Sequence, residues 1–150
     1  MIRRFDEPIR PGIRYRPRPG AYGILRRGNR LLITFQTLPA PEFQLPGGGV
    51  DAGESPQAAL HREVREETGW VVQIERRMGA FQRYTLNQDN QKWIRKVCQI
   101  YLCRPIRQRW PIAEPHHANL WVRPDEAVTL LTNAGDRHFV RRLIGNGTAD

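Results

Sequence analysis

Glu63, Glu66 and Glu67 stand at i, i+3 and i+4 within the run from Gly48 to Trp70, GGVDAGESPQAALHREVREETGW. On a helix, that spacing brings the three carboxylates onto one face. Like charges so placed destabilise a helix by roughly 0.2–0.5 kcal/mol per pair. The same oxygens suit a hard divalent cation, which takes carboxylate ligands and cancels their repulsion. A segment whose local stability conflicts with its charge pattern is where chemistry is to be sought.

The elements that must position these acids are legible around them. Ser55 is placed to cap a helix and Pro56 to open it, where its missing N–H costs nothing. Gln57, Ala58, Ala59 and Leu60 favour helix, and Gly69 supplies the stop. At about 100° per residue, Leu60 and Val64 form an apolar stripe made to pack on a sheet. Glu67 flanks that stripe, Glu63 and Glu66 lie further round with small Ala59 between them, and His61, Arg62 and Arg65 take the remaining side. Before the helix, Leu45-Pro46 ends an apolar run. Gly47, Gly48 and Gly49 are expected as a loop able to aim a carbonyl at a metal or an N–H at a phosphate. Asp51, Gly53 and Glu54 form an acidic turn at the helix start, where the dipole favours negative charge.

Gly48, Glu54, Arg62, Glu63, Val64, Glu66, Glu67, Gly69 and Trp70 together resemble the signature of the Nudix hydrolase superfamily, MutT-like in pattern. That pattern reads Gly, five residues, Glu, seven residues, Arg-Glu-aliphatic-x-Glu-Glu-x-Gly-bulky. The flanks are similar too, with a strand hairpin before the motif and long strands after it. The resemblance implies hydrolysis of a nucleoside diphosphate linked to another group, with Mg²⁺ or Mn²⁺ bound by the helix. It implies Glu63, Glu66 and Glu67 as metal ligands, the Gly48 carbonyl as a further one, and Glu54 as support for the metal or its water shell. Arg62 is expected to pin the loop or Glu54 with its guanidinium. Attack on an anionic pyrophosphate needs neutralised phosphate oxygens, an acidified and aligned water, and a carboxylate to take its proton. Glu63 is one candidate base. An acid of the later loop, Glu114 in Ile112–His117, is the other, and His116 and His117 there can titrate near neutrality.

Around the motif the chain alternates sheet and helix. Residues 1–19, rich in Arg and Pro, are expected as an extended arm, and residues 20–150 as a single domain. Strands are expected at 21–25 and 31–36 about the Arg27-Gly28-Asn29-Arg30 turn, then at 43–45, 71–85, 93–104 and 118–122. Short helices are expected at 124–131 and 136–144. Strands in the middle with helices on either side predict an α/β/α sandwich around a central mixed sheet.

Composition bounds the rest. At 150 residues, the chain suits one domain with a real core. It shows no apolar run of the roughly 18–20 residues a membrane span needs. Its start lacks the apolar stretch of a secretory signal, and a cytoplasmic protein is expected. Cys98 and Cys103, at odd spacing in one expected strand, point to opposite faces and do not bridge each other. The 24 Lys and Arg against 15 Asp and Glu leave a net charge of +9, which draws anionic ligands. Arg3, Arg4, Arg10, Arg14, Arg16 and Arg18 either help hold a phosphorylated substrate or an RNA end, or decorate the surface, and the second is favoured for most of them. Tyr84, Trp93, Phe35 and Phe43 are placed to border a substrate cleft.

The expected substrate is a nucleoside or deoxynucleoside triphosphate first, with ADP-ribose, a nucleotide sugar or a dinucleoside polyphosphate close behind. The alternative class is a binding module that holds RNA or nucleotide without turnover. The intact acid set argues against it. The arm either packs on its own domain or crosses to a partner in a homodimer.

Overall fold

The computed structural model describes residues 1–113 and 117–145. Chain order gives β1 (Arg3–Arg4), β2 (Arg16–Arg27), β3 (Arg30–Gln36), β4 (Glu42–Gln44), β5 (Gly47–Gly49), α1 (Pro56–Thr68), β6 (Trp70–Asn87), β7 (Lys92–Gln108), β8 (His117–Val122), α2 (Pro124–Leu130) and α3 (Ala134–Gly145). The strands form one mixed sheet in the order β1-β6-β7-β2-β3-β4, with β5 paired to β2 and β8 paired to β3. β1 runs parallel to β6 and β2 parallel to β7, while the other pairings are antiparallel.

Side-chain alternation along β2 shows how the layers arise. Ala21 and Leu25 face α1, sharing a core with Leu60, Val64, Tyr101 and Cys103. Tyr22 and Ile24 face the other way, into a core with Cys98, Ile100, Ala127, Phe139 and Leu143. One helix therefore covers one face of the sheet, and α2 and α3 cover the other. The two cysteines are free, buried and divided between these cores, as their odd spacing requires. No helix among the described residues is long and apolar enough to cross a membrane.

α1 forms where its sequence predicts. Ser55 Oγ accepts a hydrogen bond from the Ala58 N–H at 3.1 Å, Pro56 opens the helix, and Gly69 closes it with φ 73°. Leu60 and Val64 are fully buried. Each such burial stabilises by roughly 1.5–3 kcal/mol, several times the repulsion between neighbouring acids. Packing therefore decides that the helix forms, and the acids are carried along its edge.

Two expectations need correction. The glycines at 47–49 are not a loop: they pair with β2 in the register Gly20↔Gly49, Ala21↔Gly48, Tyr22↔Gly47. Absent side chains let a short strand lie where a bulkier one would strike its neighbours. β2 also begins at Arg16 rather than at residue 21, because Arg16 to Leu25 pair in unbroken register with Ile94 to Cys103. Its two prolines, Pro17 and Pro19, had pointed away from sheet, yet they are tolerated near the end of this strand. Earlier still, the start of the chain lies on its own sheet. β1 pairs with β6, Phe5 packs edge-on against Phe81 with centroids 5.8 Å apart, and the Asp6 carboxylate accepts from the Ala134 N–H at 3.3 Å.

Asp136, in the first turn of α3, accepts hydrogen bonds from the Leu45 N–H at 3.2 Å and the Asn133 amide at 2.9 Å. Burial outweighs both and pushes its carboxyl up to about 6. The folded state thus prefers the protonated acid, and the stability this gives is full at low pH and lost as pH rises through about 6. Asp136→Asn fixes a neutral group there, so the variant should gain on the wild type between about pH 4 and about pH 7. Urea midpoints of the two proteins across that range test this, and a constant difference would rule out the buried carboxylate as its source.

Candidate metal and active site

Arg62 is the centre of the polar structure around α1. Its Nε donates to Glu54 Oε2 and its Nη2 to Glu54 Oε1, both at 2.9 Å, a two-pronged grip that matches guanidinium to carboxylate. Nη2 also donates to the Gly49 carbonyl at 3.0 Å, and Nη1 to Glu63 Oε1 at 2.9 Å. Asp51 and Glu66 lie further out, at 3.4 and 3.7 Å. One side chain thus ties the helix, the end of β5 and the acidic turn together. Hydrogen bonds from Arg62, helped by the Asp51 backbone N–H, pull the Glu54 carboxyl down to about 2.

The three helix acids have different surroundings. Glu67 is 3% exposed, and its Oε1 accepts from the Gly47 N–H at 2.7 Å, fastening the helix to β5. Glu63 lies against Gly48 so closely that a Cβ on that glycine would sit 2.5 Å from the Glu63 carboxyl carbon. Burial first, then the nearby Glu67 charge, push the Glu63 carboxyl up to about 7 despite the Arg62 hydrogen bond. Glu66 is the outermost, with a side chain 39% exposed.

This donor set fits a hard divalent cation. It is all oxygen, it lies against a backbone stripped of side chains, and Glu63 is held where negative charge is in excess. Among the described residues no three acidic, imidazole or thiol groups converge as a ready-made cage. Arg62 holds Glu63 and the Gly47 N–H holds Glu67, so the two carboxylates stand on separate anchors.

Across β5 from these acids opens a cleft of about 260 Å³. Its cations follow from strand register: Arg18 on β2 lies opposite Lys96 on β7, which lies opposite Arg83 on β6. All three line the cleft together with Gly20, Gly49, Tyr22, Thr85 and Ile94. The Arg18 guanidinium rests against Gly49, 2.7 Å from where a Cβ would stand. Arg83 is steadied from behind by Asp6 at 3.3 Å and Glu7 at 3.2 Å. Burial pushes the Tyr22 phenol up to about 12, and the Lys96 ammonium lies 5.6 Å from its ring centroid. Beneath the cleft a chamber of about 30 Å³ shares Tyr22, Glu42, Arg83 and Lys96 and adds Gln44, Asn133 and Asp136.

The structure therefore brings Gly48, Glu54, Arg62, Glu63, Glu66 and Glu67 together. Glu114 and His116 lie outside the described residues, and His117 begins β8. Tyr84 and Trp93 do not line the cleft: both pack on Tyr15, with centroids at 4.8 and 6.0 Å. Phe35 and Phe43 pack on each other at 4.7 Å. Of the six N-terminal arginines named above, Arg18 lines the cleft. Sequence reasoning missed Arg83 and Lys96, as well as the polar chamber. Their one signal is shared parity on paired strands, which has meaning only once the register is known.

A family model described as NUDIX domain matches residues 14–143. A Bacillus subtilis protein bearing the name of an 8-oxo-dGTP diphosphatase is 36% identical over 64 residues, which are 43% of this chain and 43% of that protein. An RNA pyrophosphohydrolase of Cereibacter sphaeroides is 43% identical over 67 residues, 43% of this chain and 40% of that one. The matched segment thus spans less than half the length of these curated relatives. Among solved structures, a NUDIX hydrolase from Nitrosomonas europaea superposes with a TM-score of 0.72 at 16% identity, covering 87% of this chain and 90% of that one. At that identity the likeness shows the fold.

Removing the Arg62 fork should loosen the whole arrangement. Arg62→Ala leaves Glu54 and Glu63 without their shared donor and should cost about 1–3 kcal/mol, given that the group is partly solvated. Arg62→Lys keeps the charge but not the two-pronged geometry, and should recover less than half of that. Urea denaturation of the three proteins decides it, and wild-type stability in Arg62→Ala would remove the guanidinium from this role.

Proposed function

The chain belongs to the NUDIX family, and on that premise we propose that it hydrolyses the pyrophosphate bond of a nucleoside diphosphate joined to a further group, foremost a nucleoside or deoxynucleoside triphosphate. The observation that carries this is the juxtaposition, across β5, of the α1 acids with a cleft crossed by Arg18, Lys96 and Arg83. A row of cations beside a cluster of carboxylates is the charge pattern a metal-bound polyphosphate needs.

In this reading Glu63, Glu66, Glu67 and the Gly48 carbonyl hold Mg²⁺ or Mn²⁺, with Glu54 supporting them. The metal supplies neutralisation of the phosphate oxygens and an acidified water. Arg18, Lys96 and Arg83 would grip the phosphates and hold the scissile bond in a fixed orientation for attack. Arg62 touches neither phosphate nor water; it keeps Glu54, Glu63 and the Gly49 backbone in fixed relation. Glu63 is the proposed proton acceptor. Glu114 remains the other candidate for that step.

Phosphate release, coupled to pyrophosphatase for nucleoside triphosphates and 5′-triphosphorylated RNA and to alkaline phosphatase for ADP-ribose, nucleotide sugars and dinucleoside polyphosphates, whose products are phosphomonoesters, tests the reaction. Turnover should require Mg²⁺ or Mn²⁺ and vanish in EDTA. Glu67→Gln keeps an acceptor for the Gly47 N–H while removing the charge, so it should fold normally and lose about 100-fold in kcat. Lys96→Met should lower kcat/KM by about tenfold or more. Near-normal turnover of Glu63→Gln at saturating metal would exclude Glu63 as the base. Absence of turnover for every panel member, with tight RNA binding, would make the protein a binding module instead.

A further inference from the structure

Residues 109–113 are stitched to the C-terminal end of α1. The Arg109 and Trp110 N–H groups both donate to the Gly69 carbonyl, at 2.8 and 3.1 Å, and the Ala113 N–H donates to the Glu66 carbonyl at 2.9 Å. Gly69 makes this approach possible, since a Cβ there would collide with the Trp110 backbone. The stitching sets the Trp110 indole beside the acids, outside both hydrophobic cores.

Trp110 is half-buried and wears two exposed arginines. The Arg65 and Arg109 guanidinium carbons lie 4.5 and 5.2 Å from its ring centroid. Between the indole and α1 runs a groove of about 490 Å³, walled by Arg62, Arg65, Glu66 and Pro111. The groove therefore opens directly onto Glu66, the outermost helix acid. Its link to the phosphate cleft is Arg62, which lines the groove and donates to the carbonyl of Gly49, a residue of the cleft wall. The acids thus lie between two cavities, one paved with cations and hydrogen-bonding groups, the other with an indole and guanidinium groups.

We propose that Trp110 is the specificity residue for a second, ring-bearing half of the substrate: a purine joined through a polyphosphate to the nucleotide in the cleft. This rests on the pyrophosphohydrolase reading. A planar purine stacked on an indole gains more than an exposed guanidinium resting there. The purine displaces one arginine, and the freed guanidinium turns to the polyphosphate, whose charge it complements. A terminal phosphate gains nothing from the indole face, so the effect of Trp110 is selective for substrates with two rings.

Diadenosine tetraphosphate and ATP are the probes. Trp110→Ala should lower the ratio of kcat/KM for diadenosine tetraphosphate over ATP by about tenfold, mostly through KM, and Trp110→Phe should restore most of it. In EDTA, where nothing turns over, diadenosine tetraphosphate should quench the tryptophan emission of the wild type more than that of Trp110→Phe. An unchanged ratio in Trp110→Ala, or equal quenching of the two proteins, overturns the proposal. If the wild type turns over neither probe nor any other nucleotide, the catalytic reading fails instead, and the quenching still decides whether Trp110 takes a purine.

Discussion

The Arg62 guanidinium is the interaction on which the functional end of the molecule depends. It satisfies both oxygens of Glu54, one oxygen of Glu63 and the carbonyl of Gly49 from a single planar group. A lysine cannot reach that many acceptors in fixed directions. Without the fork, Glu54 and Glu63 would repel across the helix start, and the Gly49 carbonyl would lose its hydrogen bond from α1. The acids are consequently held close together by an arginine as well as by the burial of Leu60 and Val64 beneath them. Apolar packing and charge are divided between the two sides of the same helix.

The glycines of β5 serve the same end by what they lack. Gly48 leaves room for the Glu63 carboxyl, and Gly49 leaves room for the Arg18 guanidinium on the opposite face. Successive residues of a strand face opposite sides. This one short strand therefore presents backbone to the carboxylates with one residue and to the cations with the next. Charges of opposite sign come close across the sheet, with the backbone between them keeping them from pairing off. In the proposed reading, a polyphosphate with its metal would touch both.

The excess of arginine is resolved by position rather than by composition. Arg18 enters the cleft, Arg62 braces the acids, and Arg83 is fixed by Asp6 and Glu7 from the start of the chain. Others rest on aromatic rings, as Arg65 and Arg109 do on Trp110, Arg27 on Trp70 and Arg10 on Trp93. The N-terminal residues thereby have a structural part as well: Phe5 enters a core contact and Asp6 meets both α3 and Arg83.

The sequence by itself determined what is local. Ser55, Pro56 and Gly69 mark the ends of α1 because capping acts within a few residues. The spacing of Glu63, Glu66 and Glu67 placed the acids on one helix edge for the same reason, and the odd separation of Cys98 and Cys103 divided them between two faces. Only the tertiary structure decided what depends on register. That Gly47–Gly49 is a strand, that β2 starts at Arg16, and that Arg18, Lys96 and Arg83 stand in one row all follow from which residue of one strand lies opposite which of another. Parity along each strand is visible in the chain. The alignment between strands comes from long-range packing, and no window of neighbouring residues contains it.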